Sequence, residues 1–391
     1  MATITITLRE TGKSVTATLK AAPPKDKINI KILNNLDEGF YDNTSPLQKD
    51  KYGFIVGKIY KIKAEYNNVN ITEVKWEFHY RNNYLSTKQG LIKKISSQGD
   101  EIFFKFPSDY CGGLIIVKAY IYYKGKTIEG REEFFMHNAF RWFDRVKVEN
   151  RIKNIANDPS ILDQHVTPLC GTAALLYLFV SENKYKQLFQ DEMMKFFRTG
   201  KGKLNNFTLD PNPEIFSMKP IVGNSDYPHY SKNPNNIMPQ ADWICLVGMR
   251  SSSDNKNYTG KSGETWDGIN WVSYMKEGLK NLFPNNKIED KTSIITGFDY
   301  TEDLKTIEKE YRKGKRIILL IDVDMFKDSV SYFGCLVGYH WIVYKGDLVI
   351  NGDKRTFSYY CWGKDFCVND EDHLIFRKIV FNTNYYGYII F

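Results

Sequence analysis

The first part of the chain alternates between apolar and polar residues in short runs. Ile4, Ile6 and Leu8 share one side of an extended segment, threonines occupy the other side, and a polar turn follows at residues 10–13. The same pattern recurs at residues 15–19, 57–66, 74–80, 101–106 and 114–123, and Gly, Asn and Asp separate these runs. Many short strands at regular spacing predict an all-β immunoglobulin-like sandwich domain over residues 1–138.

The pattern changes near residues 136–145, where apolar residues begin to recur at helical spacing. A Pro-free segment at 170–197, followed by Gly200, predicts one long helix. Further helices are predicted at 271–282 and 302–313, and strands at 242–249, 316–323 and along the tail from 336 to 391. Because Pro and Asn are frequent after residue 199, we expect an α+β domain over 139–391 with an irregular insertion around 199–300.

Composition narrows the class of protein. With 391 residues, 42% of them hydrophobic and 26% charged, the chain is long enough for two folded domains. The net charge of +8 is spread without a run of five basic residues, so nucleic-acid binding is not expected. The sequence has no stretch of 18 apolar residues, so no membrane span is predicted, and the N-terminus lacks the pattern of a signal peptide. We therefore expect synthesis in a cytoplasm, with reduced cysteines.

The distribution of the six cysteines does not predict a metal centre. None forms a C-x-x-C pair, and the spacing of Cys361 and Cys367 fits no common zinc site. Asp322 and Asp324 follow a predicted strand and offer oxygen ligands, but no His or Cys cluster accompanies them, so we interpret them as a charged strand end. No Gly-rich phosphate loop is present. Neither a metal nor a cofactor is expected.

Cys170 is placed at the start of the apolar segment that predicts a helix. Free N–H groups and the positive end of the helix dipole would stabilise a thiolate and lower the pKa of this cysteine. The N–H of Cys170 can donate to an oxyanion, Gly171 lets a substrate approach, and Gln164, six residues earlier, can supply a second donor. The alternative is a structural cysteine buried in a core helix.

His340 opens a late apolar run that predicts a strand, and it is the candidate base for Cys170. Its orienting partner depends on which hairpin follows. If residues 345–347 form the turn, Asp353 lies opposite His340; if Asn351-Gly352 forms it, the nearest residues are around Gly363 and Asp365. Asn-Gly is the stronger turn signal, which favours Asp365.

These residues resemble a known family. The segment Gln164-x5-Cys170-Gly171-x-Ala173 is similar to the nucleophile segment of papain-like cysteine peptidases, including a bacterial branch that trims peptides during export, and the order Gln, Cys, His matches. Cys361-Trp362-Gly363 resembles the Ser-Trp-Gly that follows the family's orienting Asn, whose position Tyr360 occupies. Residues 386–389, Tyr-Gly-Tyr-Ile, are similar to the last papain strand. The family's aromatic residue after the nucleophile is replaced by Gly171.

The resemblance implies that residues 139–391 form a papain-like domain that hydrolyses amide bonds as a peptidase or amidase. Its substrate would be a protein or peptide, a peptidoglycan cross-peptide or a glutamine side chain. The motifs around Asp242–Arg250, at 340–344 and at 360–364 (Tyr-Cys-Trp-Gly-Lys) are together similar to bacterial papain-like proteins, some of which are toxic effectors of contractile injection machinery. That likeness implies export without a signal peptide, antibacterial or host-directed activity, and a cognate inhibitor. The alternative is an inactive papain-like binding or structural protein.

Overall fold

The computed structural model describes residues 2–7, 14–19, 27–40, 50–67, 69–81, 89–253, 257–330, 338–371 and 374–391. The predicted turn at 10–13 and Cys335 lie outside these residues. Within them the chain has a mixed α/β fold with several antiparallel sheets. It divides into two compact units, one of residues 1–36, 57–106 and 113–135, the other of residues 37–56, 107–112 and 136–391. The first unit ends three residues before the predicted boundary at 138, and two short segments of the predicted first domain group with the second unit.

The first part of the chain forms strands in the places that the alternating pattern indicates. In chain order the strands are β1 (Ala2–Thr7), β2 (Ser14–Leu19), β3 (Asn29–Ile32), β4 (Asp37–Phe40), β5 (Asp50–Phe54), β6 (Ile59–Glu65), β7 (Glu73–Arg81), β8 (Gln89–Gln98), β9 (Glu101–Lys105), β10 (Gly113–Tyr123) and β11 (Lys126–Met136).

Two antiparallel sheets, in the orders β3-β6-β9 and β8-β7-β10-β11, build the core of the first unit. Trp76 and Phe78 of β7 are fully buried, because alternate residues of a strand point to the same face. The ring of Phe78 stacks on Phe104 of β9 at 4.1 Å. Side chains of both sheets therefore share one apolar core.

The remaining elements belong to the second unit. They are the helices α1 (Arg145–Asn157), α2 (Cys170–Ser181), α3 (Lys186–Thr199), α4 (Gln240–Ser251), α5 (Thr265–Gly268), α6 (Val272–Leu282), α7 (Thr301–Arg312) and α8 (Lys378–Asn384), and the strands β12 (Gly202–Leu204), β13 (Phe207–Leu209), β14 (His229–Tyr230), β15 (Asn233–Ile237), β16 (Glu289–Asp290), β17 (Ile317–Asp322), β18 (Tyr339–Tyr344), β19 (Val349–Asn351), β20 (Lys354–Thr356), β21 (Tyr359–Cys361), β22 (Lys364–Phe366), β23 (Phe376–Arg377) and β24 (Tyr385–Ile390).

A six-stranded antiparallel sheet in the order β16-β24-β17-β18-β21-β22 organises the second unit. One face, which includes Trp341 and Val343 of β18, joins the large apolar core around α2. The other face, which includes Ile342 and Tyr344, joins a second core with residues of α7 and α8. Neighbouring residues of β18 thus enter different cores, so the orientation of His340 depends on this alternation.

Several predicted elements are confirmed and two are wrong. Helices α6 and α7 and strand β17 lie where the pattern predicted them. The predicted strand at 242–249 is instead part of α4, whose residues Ala241–Ser251 are all buried. A helix buried on every side has no amphipathic period, so a short apolar run does not distinguish it from a strand. The predicted helix at 170–197 is two helices, α2 and α3, separated at residues 182–185.

Contrary to the prediction of an irregular insertion, the segment 199–300 contains regular secondary structure. It contains the short hairpins β12–β13 and β14–β15 and the helices α4, α5 and α6. Among the described residues, no helix has the length and apolar composition to cross a bilayer.

Candidate functional site

The predicted nucleophile is the first residue of α2. Every residue from Cys170 to Val180 is buried, and this helix packs against β18 of the central sheet. Leu169 at the N-cap offers no side-chain cap, so the N–H groups of the first turn must find other acceptors. The amide of Thr172 finds one in Asn270 Oδ1, at 2.9 Å.

Asn270 connects the start of α2 with β18. It is buried, and besides receiving the Thr172 N–H its carbonyl oxygen accepts the indole N–H of Trp341 at 2.7 Å. One residue thus holds the helix end that carries Cys170 beside the strand that carries His340. Nothing in the sequence indicated this role, because Asn270 lies 100 residues after the nucleophile.

Gly171 has a packing role that differs from the predicted one. A Cβ at this position would lie 2.5 Å from the sulfur of Met275 and 2.6 Å from Cβ of Asn270. Only a residue without a side chain allows α2 to approach this closely. Gly171 is itself buried, so the structure gives it a role in packing the helix start.

Burial dominates the acidity of Cys170. The side chain is 7% exposed, and burial raises the pKa of its thiol to about 11. The backbone N–H groups of Trp341, Gly171 and Cys170 itself lower the pKa by a smaller amount, because an N–H dipole near the sulfur favours the thiolate. The expectation that the helix start lowers this pKa is therefore wrong, because loss of solvation outweighs the effect of these N–H groups.

His340 is buried near the start of β18. Its Nε2 lies 2.9 Å from Sγ of Cys361, and its ring packs against Trp362 with centroids 4.6 Å apart. Burial lowers the pKa of His340 to about 3, so the imidazole is neutral at physiological pH. In the described part of the chain, no hydrogen bond joins the Cys170 sulfur to His340, whose Nε2 contacts Cys361.

Cys361 is the residue that sequence reasoning missed. Strand β21 pairs with β18 so that Val343 is opposite Tyr360, and continuing this register places Gly363 opposite His340. The β19–β20 hairpin turns at Gly352 and Asp353, one residue later than the predicted Asn351-Gly352 turn. Tyr360, which occupies the family's Asn position, points to the other face of the sheet, and Cys361 faces His340 instead.

A strained turn follows Cys361. Trp362 and Gly363 are the central residues of the β21–β22 hairpin and have φ angles of +47° and +71°. Positive φ at both positions is the geometry of a type I′ turn, which a bulky Trp adopts only at an energetic cost. The turn holds the indole of Trp362 against the His340 ring. Such strain is concentrated at functional sites, which supports a role for this corner.

Asp365 is not brought to His340. Its Oδ1 accepts a hydrogen bond from the hydroxyl of Tyr177 at 3.1 Å, and its Oδ2 pairs with the ammonium of Lys345. The register places Asp365 opposite Tyr360, so it lies beyond the turn that approaches His340. In this structure Asp365, in β22, therefore links the central sheet to Tyr177 of α2.

Gln164 lies in the buried loop before α2. Its side-chain Nε2 donates to the carbonyl of Thr167 at 3.0 Å, and the Thr167 hydroxyl donates back to the Gln164 carbonyl at 2.6 Å. An amide nitrogen has two hydrogens, so one remains for another acceptor. The loop is anchored on either side: Tyr360 donates to the carbonyl of Leu162, and Asp163 N donates to the buried Asp242 at 2.9 Å.

Comparison of the chain with protein families, with curated proteins and with solved structures found no match. The geometry of the site therefore carries the functional argument by itself.

The remaining acidic and thiol side chains that the sequence singled out lie apart from Cys170 and His340 in the sequence. Within them, no three His, Cys, Asp or Glu side chains come together as metal ligands. The carboxylate of Asp322, at the end of β17, accepts hydrogen bonds from the N–H of Asp324 at 3.0 Å and from the hydroxyl of Tyr386 at 3.4 Å. Cys111, Cys170, Cys245, Cys361 and Cys367 are free thiols.

Proposed function

We propose that this chain is a thiol-dependent hydrolase of amide bonds, with Cys170 as nucleophile and His340 as the group that moves the proton. The observation that carries the proposal is a buried cysteine at a helix start, where the first-turn N–H groups act as donors, on a helix that packs against the strand holding His340. Such donors stabilise negative charge that develops on sulfur during attack.

In the proposed reaction, Cys170 Sγ attacks the carbonyl carbon while its proton passes to the imidazole of His340. The oxyanion receives hydrogen bonds from the N–H of Cys170 and from Gln164. The amide C–N bond breaks as the imidazolium returns the proton to the leaving amine, and water then hydrolyses the acyl-enzyme. Because the pKa of Cys170 is about 11 and that of His340 about 3, the resting pair is a neutral thiol and a neutral imidazole.

A papain-like fold for the second unit and an immunoglobulin-like fold for the first are part of the same proposal. The order of Gln164, Cys170 and His340 supports it, as does the Trp362 indole beside the imidazole. A protein or peptide is the proposed substrate. Delivery by an injection machine and control by a cognate inhibitor follow from the family resemblance alone.

The competing function is an inactive binding or structural protein. One observation favours it: His340 forms its hydrogen bond with Cys361 and none with Cys170. A closed resting site accounts for the same observation, because catalytic hydrogen bonds are often long or absent before substrate binds.

A pool of peptidyl vinyl sulfones separates the two functions, because these probes need a nucleophile and a proton donor in one site. We expect one probe per chain, attached to Cys170 on peptide mapping, and none on Cys170→Ala. Cys367→Ser is the matched control, since Cys367 is a partly exposed thiol of the second unit, and it should be labelled like wild type. Hydrolysis of a peptide library that persists in Cys170→Ala would refute the proposal.

A further inference from the structure

Cys361 and His340 form a side-chain pair that neither the motif nor the resemblance assigned. Cys361 is 2% exposed at the end of β21, and its sulfur lies 2.9 Å from Nε2 of His340. Since an imidazole has two nitrogens with different roles, a contact that occupies Nε2 leaves Nδ1 as the nitrogen for a nucleophile.

We propose that Cys361 is the positioning residue of His340: its sulfur accepts the Nε2–H, which fixes the ring and leaves the lone pair on Nδ1 for the proton of Cys170. This inference rests on the proposed function and deepens it. A thiol here takes the place that an amide or carboxylate oxygen has in other nucleophile–base–orienter systems.

Alternation in the strand explains why this residue and no neighbour has the role. Tyr360 lies on the face of α2, where its ring stacks on Tyr177 at 3.9 Å. Asp365 is bound to Tyr177 and Lys345. Cys361 is the residue of β21 whose side chain meets the imidazole.

A sulfur is a weak acceptor, so the surroundings must protect the bond from water. They do so here: His340 is 3% exposed, and Trp362 and Phe326 pack against its ring at 4.6 and 6.1 Å. The strained backbone at Trp362 positions the indole against the His340 ring.

Cys361 is poorly suited to be the nucleophile itself. Burial raises the pKa of Cys361 well above its usual range, and a thiolate at Cys170 would raise it further, so Cys361 remains a neutral thiol. Cys170, by contrast, is the first residue of α2, where the backbone N–H groups of the first turn lie. The two cysteines therefore have different roles: Cys170 is the nucleophile, and Cys361 positions His340.

The test compares wild type with Cys361→Ala, Cys361→Ser and Cys361→Asn. The rate at which peptidyl vinyl sulfones label Cys170 should fall about tenfold in Cys361→Ala, which corresponds to the loss of one neutral hydrogen bond. Ser and Asn keep an acceptor and should restore the rate to within about threefold. Long-range ¹H–¹⁵N spectra of His340 should show the proton on Nε2 in wild type, and a mixture of tautomers in Cys361→Ala.

Three results would overturn the inference. These are an unchanged labelling rate in Cys361→Ala, a wild-type proton on Nδ1, and a probe attached to Cys361. Absence of labelling in wild type would instead refute the proposed hydrolase, while the tautomer measurement would still decide whether Cys361 fixes the ring.

Discussion

Acidification should destabilise the protein through His340. Its side chain is 3% exposed, and burial lowers its pKa from 6.5 to about 3. Between these two values the unfolded chain binds a proton that the folded chain does not, so the free energy of unfolding falls as the pH falls. Each pKa unit corresponds to 1.36 kcal/mol, so lowering the pH from 7 to 5 should cost about 2 kcal/mol through this one group.

His340→Gln provides the matched control, because glutamine is polar and does not titrate. Urea-induced unfolding of both proteins, measured at pH 7, 6 and 5, isolates the contribution of the histidine, since all other titrating groups are common to the two. We expect the wild type to lose about 2 kcal/mol more than the variant over this range. Equal losses would show that His340 is exposed or charged in the folded protein, and the description of the site would be refuted.

The other predictions concern the start of α2 and the sheet beside it. Gly171→Ala should lower the free energy of unfolding by about 1–3 kcal/mol through overpacking, and Met275→Ala in the same chain should recover part of it in urea unfolding. Asn270→Ala should lower the free energy of unfolding by about 1–3 kcal/mol, because it leaves the buried N–H of Thr172 without an acceptor. Asn270→Asp keeps an acceptor oxygen and should lower it less, so equal unfolding temperatures of the two variants would contradict this prediction. Asp365→Asn should leave the vinyl sulfone labelling rate within about twofold of wild type, and a hundredfold loss would reinstate Asp365 as the orienting residue.

Local chemistry explains the elements that the sequence predicted well. Amphipathic α7 shows its helical period, because only some of its residues are buried. The hairpin near Asn351-Gly352 was recognisable because Gly352 adopts a positive φ that few residues tolerate, although the turn lies one residue later than predicted. Cys170 at a helix start follows from the apolar, Pro-free run that begins there. Each of these features depends only on residues that are close together in the sequence.

The sequence by itself determined that Cys170 opens a helix, that His340 lies near the start of a strand, and that a hairpin turns near Gly352, because each signal is contained in a few neighbouring residues. Only the tertiary structure decided that Cys361, not Tyr360 or Asp365, meets the imidazole, since a shift of one residue in a strand reverses the face. It also decided that burial outweighs the helix start in setting the pKa of Cys170. Register and solvation both depend on residues distant in sequence, which no local pattern records.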